Sequence, residues 1–490
     1  METELPTYDY DLFVIGGGSG GLAASKRAAS FGAKVGLADF VKPSPQGTTW
    51  GLGGTCVNVG CIPKKLMHFA SMVGELREDQ KECGWNIDPA LPHNWETMIE
   101  HVNNHIRSLN WNYKKQLIQK EVKYFNALAS LTDAHTISLK DKNGKVTSVT
   151  TKYVLLAMGG RPTILKLPGA RDLAISSDDL FWKKEAPGKT LIIGAGYIAM
   201  ECAGFLKGLG YPVDVLYRST ILRAFDQDMA ARVVQYMQET GIKFIKGNPV
   251  AFEKVDSGIV AKMNVITESG ENHDSDIYDT VLFAVGRHAD VSGIGLEELG
   301  VKFDAAKKIV VTKKWETSVS NIFAIGDIIS DARELTPIAI KEGQYLVDGL
   351  FTNKWREIDY RAVATTIFTP LEYSCSGYSE TEAIATFGEE NIEVYHRGFK
   401  PLEWNFLEKR SSNSCYTKVI VHIPDQRILG IHYVGPNAGE VMQGYSIAVR
   451  LGLKYEDLME TVGIHPTTAE EIVGLTTTKR ESPDATNEGC

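Results

Sequence analysis

The residues with the clearest chemical potential are two cysteines, Cys56 and Cys61, in the segment Gly-Gly-Thr-Cys-Val-Asn-Val-Gly-Cys-Ile-Pro-Lys-Lys. Apolar residues recur with a helical period from Cys61 onward, and Pro63 suits a first turn, so the sequence predicts a helix that begins at the second cysteine. The positive end of that helix, together with Lys64 and Lys65, favours a thiolate at Cys61 over a thiol. The pattern therefore indicates a redox-active pair.

Two other interpretations of this pair are a zinc half-site and two unpaired core thiols. A zinc site requires further ligands, and the sequence contains no second cysteine or histidine pair at ligand spacing, so we expect no metal. Seven cysteines in 490 residues are too few for a secreted disulfide framework. A bridge in a reducing compartment is then expected to be catalytic. Four other cysteines are expected to be buried free thiols: Cys83, Cys202, Cys375 and Cys415.

Composition argues against several classes of partner. The chain has 52 basic and 61 acidic residues, a net charge of −9 and no basic cluster, which disfavours nucleic acid and anionic membranes. No apolar run approaches the length of a membrane span. The first residues are acidic and lack the features of a secretory or mitochondrial leader, so we expect a cytoplasmic protein of several domains.

A nucleotide-binding loop precedes the cysteines. An apolar strand ending at Ile15 runs into a G-x-G-x-x-G motif and then a helix, the order found in dinucleotide-binding units. The glycines allow a pyrophosphate to approach the start of the helix, and Asp39 can accept a ribose hydroxyl at the end of the next strand. The alternative is a tight structural turn. The residues of the loop are Gly16, Gly18, Ser19 and Gly21.

The same unit recurs later in the chain. It begins at Gly194 and Gly196, continues through Tyr197 and Ile198, and has Ala199 in the third small position. Each copy is followed by a further strand that ends in a glycine turn. These turns contain Gly159 in the first copy and Gly286 with Arg287 in the second.

The two copies differ at the end of their second strand. The first has Asp39, whereas the second has Tyr217, followed by Arg218 and Arg223. Arginine suits a ribose 2′-phosphate, so the first unit predicts FAD and the second NADPH. The alternative is that both arginines are ordinary surface charges.

A third segment is expected to face the cofactor. A buried-type strand ends at Asp327, and a helix is predicted to start at Thr336, which can act as its cap, with Pro337 at the first helical position. Such a helix start would stabilise negative charge on a flavin. A solvent-facing cap is the alternative.

The C-terminal part reads as an α+β domain, with alternating strands in 416–423 and 428–434. Near its end, Thr467 and Glu470 fit a capping box. His465 lies just outside it, and an imidazole can carry a proton to and from a thiol. Beyond Thr478 the chain is polar and is expected to be a flexible tail ending at Cys490.

Together these motifs resemble the FAD-dependent pyridine nucleotide-disulfide oxidoreductases across nearly the whole chain. The resemblance implies an α/β fold with two Rossmann-like dinucleotide-binding domains and a C-terminal α+β dimerisation domain. The FAD-binding domain would comprise 1–163 and 290–364. The NADPH-binding domain would be 164–289, the interface domain 365–477 and the redox tail 478–490.

The resemblance also implies roles for the site residues. Cys61 would face the flavin, while Cys56 would exchange with the next disulfide. Lys64 and Glu201 would form an ion pair beside the flavin, and Tyr197 would gate the nicotinamide pocket. His465 and Glu470 would be an acid/base pair that acts on Cys56 of the other subunit in a homodimer. Further cofactor contacts would come from Thr55, Gly159, Ile198, Gly286 and Arg287.

Within the family, the segment from Trp50 to His68 and the cysteine in the tail resemble the branch that reduces thioredoxin. The tail of that branch ends in Gly-Cys-selenocysteine-Gly, whereas this sequence stops at Gly489-Cys490, so the partner chalcogen is missing. One alternative is an enzyme that reduces glutathione directly from Cys56. Another is a flavin-binding signalling protein without thiol turnover, which would need neither the cysteine pair nor His465.

Overall fold

The computed structural model describes residues 7–86, 92–408, 410 and 414–484. The first third of the chain forms a parallel sheet, in which β3, β2, β1 and β5 lie side by side and β4 pairs antiparallel with β3 and β5. Each motif strand is apolar and buried, which is typical of a parallel sheet covered on both faces. The elements are β1 (Tyr10–Ile15), α1 (Ser19–Ala29), β2 (Val35–Asp39), α2 (Gly54–Val59), α3 (Cys61–Asp79), α4 (Trp95–Gln119), β3 (Lys123–Leu131), β4 (Thr136–Asp141), β5 (Val146–Leu156) and β6 (Gly160–Pro162).

The second glycine motif lies in a separate sheet. Its strands follow the order β12-β11-β10-β9-β8-β13-β7, with parallel pairing from β7 to β10 and antiparallel pairing beyond. The elements are α5 (Ala170–Leu173), β7 (Ile175–Ser176), α6 (Ser177–Leu180), β8 (Thr190–Ile193), α7 (Tyr197–Gly208), β9 (Val213–Tyr217), α8 (Gln227–Glu239), β10 (Lys243–Val255), β11 (Gly258–Thr267), β12 (Gly270–Tyr278), β13 (Thr280–Phe283) and β14 (Arg287–Ala289).

The chain then returns to the first sheet. Strand β15 (Ile322–Ala324) pairs parallel with β5, and helix α9 (Thr336–Thr352) packs against α1. Strands β14 and β6 pair antiparallel between the two units. A structural unit discontinuous in sequence therefore encloses the second sheet, and the start of α9 is brought beside the first glycine loop.

The C-terminal part is a five-stranded antiparallel sheet in the order β16-β17-β20-β19-β18. Alternation was expected for β19 and β20, but nearly every residue of both strands is buried, because neighbouring elements cover both faces of the sheet. The elements are β16 (Thr365–Ile367), β17 (Tyr373–Gly377), α10 (Glu380–Phe387), β18 (Ile392–Phe399), β19 (Cys415–His422), β20 (Arg427–Val434), α11 (Ala438–Leu451) and α12 (Tyr455–Met459).

The expectation of a flexible tail from residue 478 is wrong for its first part. Thr478 forms an antiparallel bridge with Tyr395, and the backbone N–H of Lys479 donates to the carbonyl of Val394 at 2.9 Å. The edge strand β18 offers unpaired backbone groups that this segment satisfies. Cys490 lies outside the described residues.

Two further expectations about composition can be compared with the structure. Cys202 and Cys415 are buried free thiols, as expected, whereas Cys375 is half-buried and Cys83 is exposed. Cys83 lies in the turn after α3, where no element covers it. Within the described parts of the chain, no helix combines the length and apolarity needed to cross a membrane, and no cluster of three or more potential ligands is arranged for a metal ion.

Candidate active site

The two cysteines lie at the junction of two helices. Cys56 is in α2, and α3 begins at Cys61, which confirms the predicted helix start. Cys56 is half-buried and Cys61 is exposed, and both are free thiols. The loop before them is held by the buried amide of Asn58, which donates to the carbonyls of Gly51 at 3.1 Å and Gly54 at 2.8 Å. The sequence analysis did not single out Asn58, whose position in the C-x-N-x-x-C segment was the available signal.

The two thiols have opposite acidities. The hydrogen bond from Cys56 lowers the pKa of Cys61 to about 6; the charge of Lys64 and the hydroxyl of Thr336 act in the same direction, while burial and Glu201 oppose them. The same hydrogen bond, together with burial, raises the pKa of Cys56 well above its usual range. The pair is therefore arranged as a thiolate at Cys61 and a protonated thiol at Cys56.

A buried ion pair lies beside Cys61. The Lys64 ammonium contacts the Glu201 carboxylate at 2.7 Å, with side chains 13% and 4% exposed. The backbone N–H of Phe368 also donates to Glu201 at 2.9 Å, and the Phe368 ring lies 4.1 Å from the Lys64 ammonium. The sequence contained no signal for Phe368, which comes from the loop after β16. The pair is thus held by three segments that are distant in sequence.

The start of α9 faces the cysteines, but not in the expected way. Thr336 is the first residue of the helix and Pro337 the second, the N-cap position is Leu335, and no side chain caps the helix. The Thr336 hydroxyl instead lies 3.9 Å from the Cys61 sulfur. Nearby Asp327 is half-buried, and burial, reinforced by Glu334, raises its pKa. The uncapped helix start therefore leaves backbone donors open towards the site.

One cavity of about 1190 Å³ joins motifs from both sheets. Arg287 of β14 bridges them, because its guanidinium donates to the Thr55 hydroxyl at 3.2 Å and to the carbonyl of Gly160. The cavity does not include Asp39, Arg218, Arg223, His465 or Glu470 in its lining. The expected site residues that do line it are Ser19, Thr55, Cys56, Cys61, Lys64, Gly159, Tyr197, Ile198, Glu201, Arg287, Asp327, Thr336 and Pro337.

The two glycine loops have the same geometry. At Gly16, where φ is +113°, an added Cβ would lie 2.3 Å from the carbonyl oxygen of Ala157; at Gly194, where φ is +125°, it would lie 2.2 Å from that of Ala284. Only glycine fits such positions. Each loop thus packs against the glycine turn that the sequence assigned to its own copy.

The next glycines are open instead of crowded. Gly18 and Gly196 occupy the N-cap positions of α1 and α7, and no side chain caps either helix. A Cβ at Gly196 would meet nothing within 4 Å, and one at Gly18 would come no closer than 3.7 Å to Gly54. Two bare helix starts with room for an approaching anion fit the pyrophosphates of two dinucleotides.

The distinguishing residues of the two copies lie at the ends of β2 and β9. Asp39 ends β2 and accepts the backbone N–H of Gly17 at 2.9 Å; burial raises its pKa. Tyr217 ends β9, and Arg218 and Arg223 follow it with exposed side chains. The first copy therefore presents a carboxylate at this point, and the second presents two cations.

His465 and Glu470 lie together at the surface. The His465 Nδ1 contacts the Glu470 carboxylate at 3.0 Å, and the His465 side chain is 63% exposed. The capping box between Thr467 and Glu470 is confirmed, at the start of a short 3₁₀ helix, Thr468–Ile472. A carboxylate on Nδ1 leaves Nε2 facing outward to accept a proton.

Comparison with known proteins agrees with this arrangement. Residues 10–343 match the family model described as pyridine nucleotide-disulphide oxidoreductase, and residues 363–476 match the dimerisation domain of the same family. The chain is 51% identical over 491 residues to a protein named thioredoxin reductase SEP1 from Emiliania huxleyi, with 98% of each chain covered. The chain therefore belongs to the pyridine nucleotide-disulphide oxidoreductase family.

Proposed function

We propose that this chain is an NADPH-dependent flavoenzyme that reduces thioredoxin through the Cys56 and Cys61 pair. The observation that carries the proposal is the thiolate-favouring environment of Cys61 in a cavity shared by two dinucleotide-type units. When bound, FAD relays two electrons from NADPH to the disulfide form of the pair. The name of the relative from Emiliania huxleyi favours thioredoxin over glutathione as the substrate.

The two cysteines divide the exchange chemistry between them. Cys56 keeps its proton, so it needs a base before it can attack a disulfide; we assign this base to His465 of the partner subunit. Attack forms a mixed disulfide and releases one thiolate of the substrate, which takes the proton back from the imidazole. The Cys61 thiolate then attacks Cys56, closes the pair and releases the second substrate thiolate.

A homodimer is part of the proposal, because His465 does not line the cavity of its own chain. One side of α3, the helix that begins at Cys61, exposes large apolar residues, and so does the segment around His465. Exposed apolar clusters of this kind mark protein interfaces. The residues and their exposed fractions are Leu66 36%, Phe69 62%, Val73 50%, Leu76 54%, Val462 91% and Ile464 76%.

The second nucleotide unit is proposed to select NADPH. Arg218 and Arg223 are exposed where the 2′-phosphate of the ribose would lie, and Tyr217 offers NADH no carboxylate. Tyr197 begins α7, is 39% exposed and lines the cavity with Glu201, so its ring is placed to cover the nicotinamide pocket. The cytoplasm is the proposed compartment, since a reducing environment suits the free thiols of the described residues.

The tail is proposed to carry electrons onward from Cys56. A carrier of this kind needs one chalcogen to attack thioredoxin and a neighbouring one to resolve the mixed disulfide. Cys490 alone can form the mixed disulfide but cannot resolve it. The chain ending at Cys490 is then expected to reduce thioredoxin slowly and small aromatic disulfides at Cys56 normally.

The test compares this chain with one extended by selenocysteine-glycine, assaying NADPH oxidation with thioredoxin, oxidised glutathione and a small aromatic disulfide. Extension should raise thioredoxin turnover and leave the aromatic disulfide unchanged. In the extended protein, Cys490→Ser should abolish the gain, while Cys83→Ser, at another exposed cysteine, should not. Faster turnover of glutathione than of thioredoxin by both forms would contradict the proposal.

A further inference from the structure

The segment 478–484 is held to the edge of the C-terminal sheet by its backbone. The carbonyl of Thr477 accepts the N–H of His396 at 3.1 Å, and the N–H of Lys479 donates to Val394 at 2.9 Å. These residues extend the sheet beside β18, which is its edge strand among the described residues. The chain is thus paired with the sheet where the sequence pattern predicts a loose end.

A buried cluster of charges holds the same segment by its side chain. The Lys479 ammonium contacts Asp228 and Glu380, each at 2.8 Å. The ammonium of Lys418, which is completely buried, also contacts these two carboxylates at 2.8 Å and Asp226 at 2.7 Å. Without Lys479, three carboxylates would share one buried ammonium, so the cluster needs the second lysine to balance its charge.

A third contact lies further along the segment. The Nε2 of His396 contacts the carbonyl of Ser482 at 2.8 Å, while its Nδ1 contacts the hydroxyl of Tyr416 at 2.7 Å. Since a carbonyl only accepts, Nε2 carries the proton and Nδ1 accepts from the tyrosine. His396 is 2% exposed. Arg480 adds hydrogen bonds to the carbonyls of Glu389 at 2.8 Å and Ile392 at 2.9 Å.

We propose that residues 478–484 form a docked base that sets the point from which the redox tail starts, with Lys479 and His396 as its positioning residues. The inference rests on the tail function proposed above. An extended chain spans about 3.4 Å per residue, so the base keeps Cys490 within about 20 Å of Asp484. A tail starting at Thr477 would extend that limit to about 45 Å, and Cys490 would then meet Cys56 less often.

The first test measures whether the base is docked. Trypsin cleavage after Arg480 releases the peptide 481–490, which is followed by mass spectrometry. The double variant Lys479→Met/His396→Gln should be cleaved at least about tenfold faster than the unmodified protein, because docked backbone resists proteolysis. Lys454→Met, at an exposed lysine of the same domain, is the control and should change nothing. Equal cleavage of the double variant and the unmodified protein would overturn the proposal.

The second test measures positioning, in a Cys61→Ser background where Cys56 cannot close its own pair. Diamide oxidises the thiols of Cys56 and Cys490 to one disulfide, and their two protons and two electrons pass to diamide, which becomes the hydrazine. Effective concentration falls roughly as the −3/2 power of tether length. Release of the base lengthens the tether about twofold, so disulfide formation should slow about threefold.

An unchanged or faster rate of disulfide formation in the released variant would overturn the positioning role. If the protein with a docked base formed no Cys56–Cys490 disulfide at all, the tail function itself would fail and the positioning role with it. The trypsin result separates that case from a base that is not docked.

Discussion

The ion pair of Lys64 and Glu201 offers a test of how this site prepares its thiolate. Lys64 lowers the pKa of Cys61 and Glu201 raises it, after the larger effects of the Cys56 hydrogen bond and of burial. Lys64→Met removes a positive charge that favours the thiolate, so the pKa of Cys61 should rise. Glu201→Gln removes a negative charge that disfavours it, so the pKa should fall. The two partners of one ion pair are therefore expected to shift the same thiol in opposite directions.

The structure indicates how large the baseline effect is. With a pKa of about 6, Cys61 at pH 7 has a thiolate-to-thiol ratio of roughly 10 to 1, whereas at the ordinary value of 9.0 it would be roughly 1 to 100. Each unit by which Lys64→Met raises the pKa divides that ratio by ten. Because alkylation requires the thiolate, the rate at pH 7 should fall in the same proportion once the pKa exceeds 7.

The assay is the pH dependence of iodoacetamide alkylation, read by mass spectrometry on the peptide that contains Cys61. A Cys56→Ser background keeps a hydroxyl donor beside Cys61 and removes the competing thiol. Each single variant leaves one buried charge without its partner, at a stability cost of about 3–5 kcal/mol, so the double variant Lys64→Met/Glu201→Gln is the folding control. Shifts of the same sign in both single variants, or an unperturbed half-rate near pH 9, would refute the electrostatic reasoning.

Three other outcomes are expected. Replacing both Arg218 and Arg223 by Gln should nearly erase the preference for NADPH over NADH in steady-state kinetics, since each charge-assisted contact contributes about 1.5–3 kcal/mol; equal use of both nucleotides by the unmodified protein would contradict this. Gly194→Ala should lower the thermal midpoint, because its Cβ would lie 2.2 Å from a carbonyl, whereas Gly196→Ala, with open space, should weaken NADPH binding without unfolding. His465→Ala should slow disulfide exchange by about 10²–10⁴-fold and leave rapid reduction by NADPH intact in stopped-flow traces; an equal loss in both would remove its acid/base role.

Several features of this protein could be predicted from the sequence because they depend on neighbours along the chain. The helix start at Cys61, the capping box at Thr467 and the two glycine units are patterns within about 30 residues. The close approach at Gly16 and Gly194 is a backbone requirement that only glycine meets, so the motif carries it wherever it occurs. Fold class and cofactor type follow from such local rules.

Other features were decided only by contacts between distant segments. Thr336 was expected to cap α9, but its hydroxyl faces the sulfur of Cys61, a residue of the first sheet's unit. Phe368 has no motif, yet it holds the ion pair because the chain brings its loop against α3 and α7.

The segment after residue 478 shows the same limit most clearly. Its polar composition predicts a loose tail, because the charges look solvated when only neighbouring residues are considered. Lys479 instead contacts Asp228, 251 residues away, in a cluster that also contains the buried Lys418. The free energy of a charge depends on its three-dimensional surroundings, so a lysine that is ordinary in sequence becomes the residue that anchors the chain when a sheet edge and three carboxylates meet it.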